Sequence, residues 1–87
     1  MKYTVIWTMH AQTQMADHWV NSVSELRRRI TQAVSQIDRE LSINPQFVGE
    51  SRAGADRIMF ASPLVAIFEV LPDDRMVRVL TVRLSRR

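Results

Sequence analysis

The spacing of apolar residues along this 87-residue chain changes twice, and that change restricts the fold more than any other feature. Over Lys2–Thr8, Tyr3, Val5 and Trp7 alternate with Thr4, Ile6 and Thr8. Period two in β-branched and aromatic residues predicts a strand. The period then lengthens. Ala11, Met15 and Trp19 stand four apart, with Ala16 and Val23 widening the apolar side, so a short helix is expected to end near Asn21. Ser22 and Ser24 are both candidate N-caps for a second helix, and Ser22 with Glu25 has the spacing of a capping box. Leu26, Ile30, Ala33, Val34, Ile37 and Leu41 follow at intervals of three and four. This helix must stop before Asn44-Pro45, because a residue preceding proline disfavours the α region. So short a connection predicts an antiparallel helix hairpin.

Period two then returns. Ser42–Gly49 reads as a loop and Glu50–Phe60 as a strand with an irregular first part, followed by a turn at Ala61-Ser62-Pro63. Leu64–Leu71 reads as a strand with Leu64, Ala66, Phe68 and Val70 on one face and Val65, Ile67, Glu69 and Leu71 on the other. After a turn at Pro72–Arg75, Met76–Leu84 forms a last strand in which Val77 and Val79 oppose Arg78, Leu80 and Val82. The order βααβββ predicts an α+β two-layer sandwich, an antiparallel sheet with the N-terminal helix hairpin on one face. Its expected core is Trp19, Leu26, Ile30, Ile37, Phe68 and Leu80. With no repeat and no linker, residues 1–87 read as a single domain. No element remains to cover the sheet's second face, so Val65, Ile67 and Leu71 should form a partly exposed apolar surface, the usual mark of a partner site.

Several chemistries are excluded by what is present. The longest apolar run, Leu64–Phe68, is far too short to span a membrane. The N-terminus lacks the apolar stretch of a signal peptide, so a cytoplasmic location is expected. With no Cys, disulfides, thiol catalysis and cysteine-based metal sites are out. His10 and His18 are eight apart with no third ligand, so no metal is expected, and no phosphate-binding or dinucleotide glycine motif calls for a cofactor. What remains is arginine. Net charge is +3, and all of it lies in the second part of the chain, where seven Arg from Arg52 onward face four acids. Arg52, Arg57, Arg78 and Arg83 all fall on predicted strands. Such residues could serve phosphate chemistry by positioning and cationic stabilisation, or simply solvate a sheet and guard its edges.

The whole pattern resembles the RelE/ParE superfamily of toxins from bacterial type II toxin–antitoxin systems. The resemblance is carried by Tyr3–Trp7, by the A-x-x-x-M-A-x-x-W and I-x-x-A-x-x-x-I-D-x-x-L helices, by Asn44-Pro45 and Gly49–Arg52, and by the strands LVAIFEV and VRVLTV. It implies a growth-inhibiting toxin neutralised by a cognate antitoxin, with either DNA gyrase or mRNA on the ribosome as target. RelE-like ribonucleases commonly place an Arg early in the third strand and a Tyr or similar acid–base group near the C-terminus. Here that strand begins Leu64-Val65-Ala66-Ile67, the only Tyr is Tyr3, and no His follows His18. The resemblance therefore points to a ParE-like or divergent non-nuclease member. A ribosome-dependent mRNase, or a decayed toxin kept as an interaction or nucleic-acid-binding module, are the alternatives. For a ribonuclease the phosphate contacts would be Arg52, Arg57 and Arg83. The expected antitoxin surface comprises Val65, Ile67, Arg78, Arg83, Arg86 and Arg87.

Overall fold

The structure, a computed structural model, describes residues 2–52 and 54–85. Strand β1 (Thr4–Trp7) leads into helix α1 (Met9–Val20) and helix α2 (Ser24–Ile43). Strands β2 (Glu50–Ser51), β3 (Asp56–Ala61), β4 (Leu64–Leu71) and β5 (Met76–Leu84) complete the chain. The two helices pack on one face of a five-stranded mixed sheet of order β1-β5-β4-β3-β2. All neighbours are antiparallel except β1, which joins the edge of β5 in parallel. The α+β two-layer arrangement expected from the sequence is therefore present, with one parallel edge strand. No helix among the described residues is long and apolar enough to cross a membrane.

The core follows from the two periods. Ile30, Ala33, Ile37 and Leu41 form one stripe of α2 and are almost completely buried. They meet Met59 and Ala61 of β3, Leu64, Ala66 and Phe68 of β4, and Val77, Val79 and Val82 of β5. Each large aliphatic residue so buried contributes about 1.5–3 kcal/mol as an upper value. The free edge of β1 is tied to α2 by two hydrogen bonds. Tyr3 N donates to Ser42 O at 2.7 Å, and Trp7 Nε1 donates to Asp38 Oδ1 at 2.7 Å.

Four expectations are corrected. Glu50–Phe60 is not one strand but a hairpin: β2 turns through Gly54, at φ 66°, and pairs Ser51 with Arg57. Ser22 does not build a capping box, because its hydroxyl donates to His18 O at 2.6 Å and so closes α1 instead. Trp19 is not core. Helix α1 turns Ala11, Gln14 and His18 towards β5, which leaves Trp19 39% exposed. Leu80 is not core either. The β4–β5 register slips between Ile67/Phe68, so that Phe68 opposes Val79 while Ile67 opposes Thr81, and Leu80 is the extra residue. Beyond the bulge the facing of β5 inverts relative to simple alternation, and Val82 enters the core beside Val79.

Candidate functional site

The same bulge decides where the arginines go. Arg78 and Arg83 are separated by an odd number of positions, which in a regular strand would put them on opposite faces. The extra residue between them places both on the face away from the helices, Arg78 opposite Glu69 and Arg83 opposite Val65. Arg78 donates through Nη1 to Glu69 Oε1 at 2.9 Å and is therefore already engaged. Arg83 is exposed and makes no hydrogen bond or ion pair among the described residues.

Apolar side chains occupy the middle of this outer face. Val65 is nearly buried at 8% exposure, flanked in register by Phe60 of β3 and Arg83 of β5. Ile67, between Ile58 and Thr81, is half-buried, and so is Leu71. The expected apolar surface is present, but its accessible part differs from the expected one. Phe60 is 66% exposed, and Ile6 of β1, level with Arg78, is also exposed. Neither was identified from the sequence. Phe60 could have been found from the alternation Met59, Phe60, Ala61, in which the outward position is the aromatic one.

The three candidate phosphate contacts do not converge. Arg57 shares the helix-side face with its register partner Phe68. There its Nε donates to Val48 O at 3.0 Å, Nη1 to Ser51 Oγ at 3.1 Å and Nη2 to Gly49 O at 3.0 Å. The guanidinium fork thus holds the segment entering β2. Arg52 is exposed just past β2, its backbone N–H donating to Asp56 O. From β2 to β5 is three strand spacings, about 14 Å, and Arg52 and Arg83 are offset by about four residues, roughly a further 14 Å along the strands. One scissile phosphate cannot touch both. Arg86 and Arg87 lie outside the described residues.

Two further features come from the helices. Past Val79, no strand among the described residues pairs with β5 on the side away from β4, and α1 closes that edge with side chains. Val82 N donates to Gln14 Oε1 at 2.8 Å, and His18 Nε2 lies 3.3 Å from Val82 O. A carbonyl only accepts, so this contact is a hydrogen bond in the tautomer that carries the proton on Nε2. Between α1 and α2 runs an apolar groove of about 400 Å³ lined by Met15, Ala16, Trp19, Val20 and Val34 among others. Arg27 of α2 packs on one of these residues, Trp19. Its guanidinium lies 4.6 Å from the Trp19 ring and donates to Trp19 O and Val20 O, satisfying the last carbonyls of α1. No group of three or more His, Asp or Glu suited to a metal ion occurs among the described residues.

No protein-family model matches the chain, and no curated protein is significantly similar in sequence. Solved structures do match. The RelBE2 toxin–antitoxin complex from Mycobacterium tuberculosis superimposes with a TM-score of 0.80 at 18% identity, covering 100% of this chain and 95% of that one. This is the RelE/ParE fold. The chromosomal ParDE system of P. aeruginosa matches at TM-score 0.65 and 19% identity over 97% of both chains. Isolated E. coli RelE matches at TM-score 0.58 and 15% identity, over 98% of this chain and 86% of that one.

Proposed function

We propose that this chain is the toxin of a type II toxin–antitoxin system and that a partner antitoxin neutralises it by covering the outer face of the sheet. The observation that carries the reading is the full-length likeness in fold to proteins solved as toxin–antitoxin complexes. The outer face supports the partner side of it. Ile67 and Phe60 offer apolar area on β4 and β3, Ile6 adds more at the β1 edge, and Arg83 offers a cation unengaged among the described residues at the rim. An acidic, partly apolar tail would bury its aliphatic side chains against the first set and pair a carboxylate with the second.

Within this reading the toxin acts without cutting RNA, as a ParE-like, gyrase-directed or divergent member. The separation of Arg52, Arg57 and Arg83 supports this, since these three cannot act together on the charge that develops at one phosphate. The test is induced expression of the chain alone and together with the reading frame beside its gene. Growth arrest relieved by the neighbour, with supercoiling impaired and translated mRNA intact by primer extension, is the expected result. Discrete cleavage within translated mRNA would reverse the choice of target, and absence of arrest would remove the toxin reading.

A further inference from the structure

The apolar groove of about 400 Å³ belongs to the helix layer and so is separate from the outer face of the sheet. Met15, Ala16, Trp19 and Val20 line it from α1, and Thr31 and Val34 from α2. Trp19 and Val20 stay 39% and 60% exposed. On α2 one stripe follows the groove: Arg27, Thr31, Val34 and Asp38 stand at intervals of four, three and four. The stripe begins on a cation and ends on an anion, about 16 Å apart along the helix axis. Neither has an oppositely charged partner among the described residues. Arg27 is held by Trp19 O, Val20 O and the Trp19 ring, and Asp38 Oδ1 accepts from Trp7 Nε1. The dipole of α2 does not explain this order of charges. It favours acids near the N-terminus and bases near the C-terminus, whereas α2 carries Arg27, Arg28 and Arg29 early and Asp38 and Glu40 late.

We propose that the groove is filled by a second copy of this chain, its α2 running antiparallel to the first across a two-fold axis. A two-fold contact is self-complementary, so each residue must find its counterpart within the same patch. Antiparallel stripes that cross between Gln32 and Ala33 meet this demand twice: Arg27 faces the partner's Asp38, and Thr31 faces the partner's Val34. Both pairs share that midpoint, so they come into register together. The two ion pairs also fix the direction, since a parallel copy would set Arg27 against its own counterpart. Between them Val34 and the α1 wall, Trp19 and Val20 included, lose apolar surface to the partner. The two helix layers meet and both outer sheet faces stay free. The proposal goes beyond the toxin reading and stands whether or not the chain arrests growth.

The experiment is sedimentation velocity on the whole chain alone, from micromolar to millimolar concentration, where a monomer–dimer equilibrium is expected. Asp38→Asn keeps an acceptor for Trp7 Nε1 and removes the charge, so dimerisation should weaken about threefold or more as two exposed ion pairs disappear together. Thr31→Glu, at an exposed position beside the axis, should weaken it about tenfold or more by bringing two carboxylates to the centre of the contact. The chain has no Cys, so Thr31→Cys reads the contact directly. Oxidation should cross-link two copies of that variant, while Gln32→Cys, about 100° further round the helix, should stay single. A monomer throughout, or a dimer indifferent to both Asp38→Asn and Thr31→Glu, overturns the assignment. Protection of the Thr31→Cys thiol from alkylation only when the product of the reading frame beside the gene is added overturns it too, by giving the groove to that protein.

Discussion

Replacing Arg57 by Ala separates a structural arginine from a ligand-binding one. In the folded chain Arg57 holds three oxygens across the start of the β2–β3 hairpin. The bond to Val48 O is partly buried and has a charged donor, so its loss costs about 1.5–3 kcal/mol. The bonds to Ser51 Oγ and Gly49 O are exposed and contribute roughly 0.5 kcal/mol each after competition with water. Arg57→Ala should therefore lose about 2.5–4 kcal/mol. For a chain of this length that lowers Tm by roughly 10–30 °C. Arg83→Ala is the internal control. Its side chain is exposed and engages nothing among the described residues, so its stability should stay within about 0.5 kcal/mol of the parent. Urea denaturation followed by far-UV circular dichroism measures both. Equal stability of the two variants would refute the assignment of Arg57 to the hairpin and return it to the pool of ligand contacts.

Other substitutions test other parts of the account. Ile30→Asp should leave no folded population by circular dichroism, because it buries an unpaired carboxylate at a position with 0% exposure. Gly49→Ala should cost more than about 2 kcal/mol in urea denaturation: its φ of 68° is unfavourable for a side chain, and the new Cβ would meet Ile58 O at 2.1 Å. Raising ionic strength should slow association with the antitoxin in surface-binding kinetics while leaving dissociation nearly unchanged, since the rim cation acts through screened, long-range attraction.

Elements with a clean period were legible before the structure. The α2 stripe Ile30–Leu41 and the alternation of β4 locate the buried face almost residue by residue, because burial on one side imposes the spacing. What could not be read depends on relations between distant segments. The bulge at Leu80 leaves no local mark, since Leu80, Thr81 and Val82 are all ordinary strand residues; only the pairing partner on β4 reveals which of them is extra. That one slip moves Val82 inward and puts Arg83 on the same face as Arg78. His18 and Gln14 look like solvated helix positions until the short β1 is seen to leave Val82 without a described strand on the side away from β4. Trp19 follows the apolar stripe of its helix, yet α1 turns a mixed face to the sheet to satisfy backbone groups. The outer face was visible as an apolar surplus on β4, but its accessible aromatic, Phe60, came from a neighbouring strand that the sequence blurred with β2.

The central claim is that neutralisation occurs through the outer face of the sheet, and Ile67 is its most direct probe. Ile67 is half-buried at the middle of that face and outside the helix-side core, so Ile67→Lys should leave the fold intact while placing a charge in the apolar centre of the interface. The measurement is the dissociation rate of the proposed antitoxin, the product of the reading frame beside the gene, from immobilised parent and Ile67→Lys chains, each checked for native circular dichroism. The account predicts dissociation faster by about tenfold or more, the loss expected when an apolar contact at an interface centre is replaced by an unpaired charge. An unchanged rate from a folded variant would place the antitoxin elsewhere on the molecule.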